Sequence, residues 1–540
     1  MINQYDSTKG VGDFSSSVST PSRILSFFGR LNYNLMERYL LTVTFRADGS
    51  SKFAPSNRWG YFPAAALGWR MSEEAFLNDV DWLDNLKLRV SYGEVGNDGI
   101  NSSLWSQNWE ATSDKRYQGA VNGAFLPSYS LGADMANKDL KWETTITRNI
   151  GVDFGFFNSR LTGTIDAYWN TTKDLLMKTA IPGITGFTST YANVGQTSNK
   201  GIEIALQGVL VKTRDWNVTA GFNINFNRGK VDKLADNVTG LYGTEWATSS
   251  TFPKSDYVLK EGRPVGLVRG LTADGFYTTD DFTYENGVYT LKEGVADVSS
   301  AVFPNYHLHN GMNERPAGQL AYPGMAKFKD LNDDGIINDD DVDVIGDMTP
   351  VHTGGFNINA TYKNFDLGLY FNWSYGNEIY NVNKLAALYG YKEGAVYENK
   401  LSIVKDCYKI YDVVNGELVA LTTPEQLNAA NANAKLPLAY SENGYVSTLG
   451  IEDGSYLRLN TLTLGYTLPK SMLQKAGISN LRVYGSIYNV FTITGYSGID
   501  AEVSTSTSTK TYPQLGMDWG TYPRARSFVL GVNPVSYTHL

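Results

Sequence analysis

Apolar and polar residues alternate along several stretches of this chain. From Trp216 to Phe226 every second residue is apolar, and asparagine, threonine or glycine occupies each position between them. The same period of two runs from Leu161 to Asn170. Similar runs lie at 146–156, 202–210, 356–362 and 367–375. Such alternation predicts β-strands that have one apolar and one polar face.

The lengths of these strands and of their connections favour a membrane barrel. The strands are longer than the roughly 5–6 residues usual in soluble proteins and match the roughly 9–11 that a tilted strand needs to cross a bilayer. Tight connections lie near 35–37, 158–160, 212–215 and 363–364, and they alternate with long connections at 96–142, 173–198, 230–351, 377–454 and 493–522. Short turns on one side and long loops on the other are typical of an up-and-down transmembrane β-barrel.

About thirteen antiparallel strands are predicted, the first near 24–34 and the last near 524–533. Two connections of intermediate length, 72–85 and 469–478, are expected to form short amphipathic helical caps where a short turn is due. The stretches 40–46 and 457–467 do not alternate cleanly. In the second, Arg458, Asn460, Leu462 and Leu464 break the phase, which predicts a β-bulge or a different strand boundary. The predicted fold class is all-β.

Composition is compatible with this fold and narrows the possible functions. Aromatic residues make up 13% of the chain and charged residues 19%, with 35 Tyr and 53 Gly. This profile fits interfacial rings and tight turns, and it also fits a soluble carbohydrate-binding β-protein. A net charge of -9 without a basic run disfavours nucleic acid as a partner. The lone Cys407 excludes an intramolecular disulfide. No signal-peptide pattern opens the chain, so a barrel reading predicts a fragment.

The segment 330–341 has the spacing of a calcium-binding loop. The candidate ligands are the side chains of Asp330, Asn332, Asp334, Asn338 and Asp341 and the backbone carbonyl of Ile336. Calcium takes six to eight oxygen ligands, and Gly335 permits the sharp turn that brings them together. The alternative is an acidic, solvated loop. We expect the ion, if bound, to be structural.

Other candidate residues point to binding and not to catalysis. Aromatic residues in the predicted loops could stack on sugar rings, or could belong to the loop core or the interfacial girdle: Trp105, Trp109, Tyr242, Trp246, Tyr277, Tyr445 and Trp519. The polar strand faces are predicted to line the barrel lumen, where they would contact cargo or a plug: Asn217, Thr219, Asn223, Asn225, Asn357, Asn359, Asp366, Asn372 and Ser374. His307 and His309 could offer two metal ligands but lack a third nearby. No catalytic constellation is visible, and an enzyme is not expected.

Several longer segments resemble the SusC/RagA family of TonB-dependent outer-membrane transporters. They include GRLNYNLMERYLLTVTFRADGSSKFAPSNRWGYFPAAALGWRMSEEAFL (29–76), LKLRVSYGEVGND (86–98), NKGIEIAL (199–206), KDLNDDGIINDDD (329–341), SYLRLNTLTLGYTLP (455–469), LRVYGSIYNVFTITGYSGIDAE (481–502) and YPRARSFVLGVN (522–533). The resemblance spans the whole chain in order.

This resemblance implies a 22-stranded barrel of which the chain supplies the C-terminal strands. It also implies import of oligosaccharides or peptides, a SusD-like surface lipoprotein as a lid, and TonB acting through an N-terminal region. Residues 1–22 would then be the remnant of an extracellular loop, 23–533 the C-terminal barrel part, and 534–540 a possible non-native tail, since Pro534 interrupts the last strand. The alternatives are a receptor for a metal chelate and a surface glycan-binding β-protein without transport.

Overall fold

The computed structural model describes residues 22–535, apart from positions 103, 108, 113–119, 122–123, 126–127, 133, 236–237, 249–250, 304–314, 389–400, 440–443, 474–477 and 506–513. Long β-strands dominate these residues, as the alternation predicts. Within the described ranges no helix is long and apolar enough to cross a bilayer. The proposed loop remnant, 1–22, lies outside the description except for its last residue.

Thirteen long strands follow one another through the described part of the chain. They are β1 (Ile24–Leu35), β2 (Tyr39–Ser50), β3 (Trp59–Arg70), β4 (Leu83–Asn97), β5 (Glu143–Phe156), β6 (Leu161–Ala180), β7 (Ser189–Lys212), β8 (Trp216–Lys233), β9 (His352–Tyr362), β10 (Phe365–Tyr375), β11 (Tyr456–Thr467), β12 (Asn480–Thr494) and β13 (Ser527–Val535).

The chain divides into two compact units, which β7 and β8 both enter. The first unit comprises Met1–Ile204 and Gly229–Thr239, and the second comprises Ala205–Arg228 and Gly240–Leu540. In the first, β1 to β7 are hydrogen-bonded in chain order, and the pairs from β1 to β6 are antiparallel. In the second, β8 to β13 are likewise antiparallel neighbours in chain order.

Each unit has one exposed apolar sheet face. In the first unit this face carries Leu31, Val43, Phe45 and Leu67, all of which are exposed. In the second unit, Trp216, Phe222, Leu464, Phe528 and Leu530 are exposed on the corresponding face. Large apolar side chains that face outward along successive strands are expected where hydrocarbon replaces water.

The tight turns predicted from the sequence are present. Residues 36–38 join β1 to β2, with Met36 and Glu37 at φ of 54° and 55° and a hydrogen bond from Arg38 N to Leu35 O of 3.1 Å. Two central residues with positive φ match the right-handed twist of the flanking strands. Similarly short turns at 157–160, 213–215 and 363–364 connect the next strand pairs.

The helical caps are only partly as expected. Connection 72–85 holds just the 3-10 helix Met71–Glu73, and β4 already begins at Leu83. The stretch is therefore a compact turn, in which Glu74 N donates to Met71 O at 3.1 Å and Leu77 N donates to Glu74 O at 2.9 Å. The other connection, 469–478, starts with a short helix, Lys470–Leu473.

The irregular strand contains the bulge that its broken phase predicts. Tyr370 lies opposite Thr461, but Phe371 lies opposite Leu459, so Asn460 is the extra residue of β11. On the other side, the register with β12 also shifts between Leu459 and Thr461. The stretch 40–46, by contrast, pairs with both neighbours without a register shift.

One of the long loops was predicted wrongly. Instead of a connection over 173–198, β6 continues to Ala180 and β7 begins at Ser189, which leaves only 181–188 between them. Polar residues interrupt the alternation there, but backbone pairing needs no apolar face once both faces of a strand are solvated.

The last strand continues through Pro534. Leu481 lies opposite Pro534, and Ser479 N donates to Val535 O at 2.8 Å. Proline has no backbone N–H to donate, but the pairing with β12 continues on both sides of Pro534. The strand boundary at 533 is thus corrected, and the origin of 534–540 stays a prediction.

Short elements occupy the long connections. The helices are α1 (Val382–Leu388), α2 (Pro424–Asn431) and α3 (Lys470–Leu473), with 3-10 turns at Met71–Glu73, Gly183–Thr185, Thr279–Asp281, Asp339–Asp341, Ser402–Asp406 and Thr448–Gly450. The short strands are Trp109–Thr112, Ala120–Val121, Ala124–Phe125, Ser128–Leu131, Asp134–Met135, Leu241–Gly243, Tyr257–Leu259, Leu267–Gly270, Ala273–Phe276, Phe282–Glu285, Val288–Leu291, Asp297–Val298, Ala326–Phe328, Ile336–Ile337, Asp343–Asp347, Glu378–Asn381, Tyr411–Val414, Glu417–Ala420, Ile451–Asp453 and Met517–Asp518.

In the second unit the connections share a hydrophobic core, which we call the loop body. Its buried residues come from two connections, β8 to β9 and β10 to β11, and include Tyr289, Tyr322, Tyr408, Leu427 and Tyr445. A second cluster joins Tyr257, Val268, Tyr380 and Met517. Burial of this many aromatic rings stabilises the loops as one folded layer.

Candidate functional site

The predicted lumen residues of the second unit lie on one polar sheet face. The register places Asn217 opposite Thr361, Asn223 opposite Gly355 and Asn225 opposite Thr353 on β8 and β9. It also places Asn357, Asn359, Asp366 and Asn372 on the matching face of β9 and β10. All seven side chains therefore share one face, and their role in lining a lumen stays a prediction.

Hydrogen bonds connect several of these side chains. Asn359 Nδ2 donates to Asn357 Oδ1 at 3.0 Å, and the Tyr370 hydroxyl donates to Asn359 Oδ1, also at 3.0 Å. Asn372 Nδ2 reaches the Tyr456 hydroxyl at 3.3 Å. The side-chain oxygens of Asn225 and Asn372 are buried and accept no hydrogen bond from the described residues. The face thus offers uncharged donors and acceptors side by side.

A glycine in the middle one of three strands lets polar side chains of the two outer strands meet across it. Arg482 on β12 binds Asp366 on β10, with Nε to Oδ1 at 2.9 Å. Gly465 of β11 lies opposite Asp366 on one side and opposite Tyr484, two residues from Arg482, on the other. A Cβ on Gly465 would lie 2.6 Å from Arg482 Nη2 and would also contact the Asp366 carboxylate. We call this arrangement a glycine-crossing pair.

The first unit contains the same arrangement. Arg89 on β4 binds Asp166 on β6 at 2.9 Å, and Gly151 of β5 lies between them in the register. Arg89 also contacts Asp153, at 2.8 Å. Arg89 was not predicted from the sequence, although a charged residue at a polar position of a long strand is the signal that could have shown it.

A cavity of about 470 Å³ adjoins the polar face of β2 and β3 in the first unit. Its lining includes Arg46, Asp48, Glu94, Asp98 and Trp142. Arg46 Nε donates to Asp48 Oδ2 at 2.6 Å, and the Asp48 side chain is only 8% exposed. Paired charges beside an indole ring can bind hydroxyl or amide groups. None of these residues was singled out from the sequence, although Arg46 and Asp48 alternate along one strand.

The seven aromatic candidates do not form one cluster. Tyr242 and Trp519 are each 49% exposed, and the Arg269 guanidinium lies 4.8 Å from the Tyr242 ring centre. Trp105 is partly buried, and Trp246 packs edge-on against Tyr380. Trp109 begins a short strand whose side chains lie outside the described set.

Two of these aromatic predictions are corrected by the structure. Tyr277 and Tyr445 are 0% and 3% exposed in the loop body, so neither ring face can stack on a sugar. The Tyr277 hydroxyl donates to the Ala296 carbonyl at 2.6 Å, and burial raises the pKa of both phenols. They are core residues, because the loops that carry them fold against one another.

The calcium-type loop is closed by its own hydrogen bonds. Asp341 is fully buried, and its two oxygens accept from Leu331 N at 2.7 Å and Asn338 N at 2.8 Å. Asp330 accepts from Gly335 N at 2.7 Å, and Gly335 has the expected positive φ of 84°. The donor chemistry suits calcium.

Nevertheless, among the described residues no group of three or more His, Cys, Asp or Glu side chains is placed to hold a metal ion. Calcium binding through Asp330, Asn332, Asp334, Ile336, Asn338 and Asp341 therefore stays a prediction. His307 and His309 lie outside the described residues.

Antiparallel strands in chain order, with an exposed apolar face, a polar face and alternating turn lengths, define the class of outer-membrane β-barrels. Residues 2–323 match the family model described as "TonB dependent receptor-like, beta-barrel", and the chain therefore belongs to the TonB-dependent receptors. This family comprises outer-membrane transporters and not enzymes, which confirms the predicted fold, location and absence of an enzyme class.

Individual relatives support the same assignment. The chain is 31% identical to "TonB-dependent receptor P3" of Formosa agariphila over 527 residues, covering 96% of this chain and 46% of that protein. It is 31% identical to "TonB-dependent receptor SusC" of Bacteroides thetaiotaomicron, covering 96% and 44%. Thus the chain spans about half the length of the curated relatives it matches.

A solved structure shares the fold. The RagAB peptide importer in its "closed-closed" state superposes with a TM-score of 0.70 at 24% identity, over 97% of this chain and 50% of that one. Together these matches confirm the predicted resemblance to the SusC/RagA group.

Proposed function

We propose that this chain forms the C-terminal barrel part of a longer transporter that imports oligosaccharides or peptides across the outer membrane. The observation that carries the proposal is the row of uncharged amide side chains on the polar face of β8 to β10. Amides donate and accept at once, so they can bind the hydroxyls of a glycan or the backbone of a peptide.

The proposed transporter works with two partner proteins. A SusD-like surface lipoprotein would cover the extracellular side, and TonB would supply energy through an N-terminal region. The similarity to SusC and to the RagAB importer supports both partners. A folded loop body also supports a lid, because a packed layer offers a stable surface for docking.

Uptake by cells tests the transport proposal. A strain lacking the whole gene would be given fluorescent oligosaccharides, fluorescent peptides and a labelled ferric chelate, and complementation would restore the gene. We expect loss of uptake for one of the first two cargo classes. Loss of the ferric chelate alone would instead identify a chelate receptor, and binding without uptake would identify a surface glycan-binding protein.

Variants of the polar face test the residues. Asn359→Leu is expected to lower uptake by about tenfold. The variant loses one hydrogen bond to the cargo, and the net free energy of one such bond corresponds to about a tenfold change in affinity. Ile358→Leu is the matched control, because it changes the adjacent residue on the opposite face. Equal uptake by both variants would contradict a transport role for this face.

A further inference from the structure

A second cavity of the first unit lies on the polar face of β2 to β5. It measures about 310 Å³, and its lining includes Thr42, Ala66, Gly68, Lys87, Ser91 and Asn149. The strand registers place Thr42 opposite Ala66, Ala66 opposite Ser91, and Ser91 opposite Asn149. Residues directly opposite one another share a sheet face, so these four side chains form one row. Ala66 is exposed and has the smallest side chain of the row, so it forms the floor of the cavity.

Lys87 extends toward this floor from the strand beside it. It lies opposite Arg70 of β3, and its stem passes over Gly68, where an added Cβ would lie 3.2 Å from Lys87 Cε. The side chain therefore leans toward β3 and away from Asp153, which lies opposite it on β5. Lys87 is partly buried and forms no ion pair with the described residues. A partly desolvated cation without a counter-ion favours an anionic ligand.

Two neutral donors lie within reach of the same ligand. In the part of the chain that the structure describes, neither the Ser91 hydroxyl nor the Asn149 amide has a hydrogen-bond partner. Their row is one step along the strands from that of Gly68, a spacing of about 7 Å. A carboxylate can bridge such a gap, because each of its two oxygens accepts a hydrogen bond of roughly 2.8 Å.

The charges around the cavity favour an anion. From the row of Thr44 to that of Arg70, the polar face of β1 to β6 carries these charged side chains: Arg30, Arg70, Lys87, Arg89, Asp153 and Asp166. Both aspartates bind Arg89 from β5 and β6, and neither lines the cavity. Glu73 lies 3.8 Å from Arg70. Positive charge remains in excess even when Glu73 is included.

We propose that this cavity binds a carboxylate of the transported cargo, and we call it the carboxylate site. One carboxylate oxygen binds the Lys87 ammonium, and the other binds the Ser91 hydroxyl and the Asn149 amide. The inference rests on the proposed function, because the cargo must pass along the polar face. It makes acidic molecules the preferred cargo. The carboxylate can come from a peptide or from an oligosaccharide that contains uronic acids.

Binding of cargo mixtures to the full-length protein in detergent tests the site. Oligopeptides from a protein digest and oligogalacturonates would each be offered as free acids and as methyl esters, which keep the chain but remove the negative charge. Mass spectrometry of the bound fraction measures the ratio of acid to ester. We expect the acid form of one of the two classes to be enriched about tenfold, the effect of one charge-assisted hydrogen bond. The enriched class identifies the source of the carboxylate.

Variants assign the enrichment to Lys87 and to the cavity. Lys87→Gln should remove the enrichment without changing the binding of the ester, and Lys87→Arg should retain most of it. Lys138→Gln, at an exposed position in a long connection, is the control for charge. Ala66→Leu fills the floor but keeps Lys87, and it should also lower binding of the acid. Ala65→Leu, on the opposite face of the same strand, should not.

The outcomes separate the carboxylate site from the proposed function. Equal binding of acid and ester by the wild type would overturn the site and leave the import of peptides or oligosaccharides in place. Equal loss of both forms in Lys87→Gln would show that Lys87 supports the fold and would also overturn it. Binding of neither class in any form would contradict the proposed function and the site together.

Discussion

Single residues decide where charges can meet on the polar sheet faces. In the glycine-crossing pair of the second unit, Arg482 and Asp366 lie on strands that are not neighbours and touch only because Gly465 has no side chain between them. The two side chains are 28% and 29% exposed, so an ion pair that loses its geometry here leaves two partly desolvated charges behind, which is costly. The glycine is therefore as important to the pair as the two charged residues.

Gly465→Ala should separate the pair and destabilise the barrel. The added methyl group would overlap both side chains, and overpacking of this kind costs about 1–3 kcal/mol. Unfolding in denaturant, followed by the heat-modifiable shift in gel mobility, measures the change. Gly485→Ala on the neighbouring strand is the control, since its Cβ would meet only Leu530 at 3.5 Å. Equal stability of the two variants would contradict the importance of the crossing.

Calcium binding is a second prediction at this scale. We propose that the loop 330–341 binds one calcium ion structurally, and isothermal titration of the folded protein with calcium measures it. Asp330→Ala should abolish the heat of binding, because it removes the first ligand of the loop. Asp274→Ala, an exposed acid in another loop segment, is the control. No binding at millimolar calcium would refute the site.

Among the elements, the long strands were predictable and the loop body was not. In β6, β8 and β9 apolar and polar residues alternate, because successive side chains of a strand point to opposite faces of the sheet and the two faces have different environments. This alternation made the apolar and polar faces of these strands predictable. The bulge at Asn460 was visible for the same reason. The ends of β6 and β7 were missed, since a strand that has solvent on both faces has no periodic pattern.

In the second unit, contacts between the connections join residues far apart in the sequence. The Tyr257 hydroxyl donates to Leu515 O at 2.8 Å, across 258 positions. No local pattern encodes such a contact, so the burial of Tyr277 and Tyr445 could not be foreseen. The cavity beside Arg46 depends in the same way on β2 and β4, which are not adjacent in the chain.

Acid should loosen the short strand Ile451–Asp453, which Glu452 anchors through its side chain. Burial alone would raise the pKa of Glu452. Hydrogen bonds from Ser497 and the ion pair with Lys384 outweigh this effect and lower the pKa of Glu452 below its ordinary value of 4.5. A lowered folded-state pKa means that the stabilisation is complete above about pH 4.5 and is lost as the pH falls through the folded value.

Limited proteolysis or hydrogen exchange of the connection between β10 and β11, measured from about pH 6 to about pH 3, tests this loss of stabilisation. The wild type should open progressively as the pH falls, and Glu452→Gln should show a flatter profile because it has no proton to gain. Glu417→Gln, in the exposed hairpin Tyr411–Ala420, should behave as the wild type. A flat wild-type profile would contradict the anchoring role.

For the molecule as a whole, the sheet faces determine how it can be handled. An apolar face exposed along successive strands requires hydrocarbon or detergent around it. The full-length protein should fractionate with the outer membrane, require detergent for extraction, and migrate differently before and after boiling. Recovery in aqueous buffer would contradict this prediction, and a soluble protein of similar mass would serve as the control for the gel shift.

The glycine-crossing pairs also constrain how the sequence can diverge. Arg89, Gly151 and Asp166 are separated by 62 and 15 positions in the chain, as their residue numbers show, yet the structure makes them one unit. Replacement of the glycine is tolerable only when the charges are lost as well. These three positions should therefore substitute together among descendants of a common ancestor, as should Asp366, Gly465 and Arg482, and each trio would leave a covariation signal that links strands two apart in the barrel.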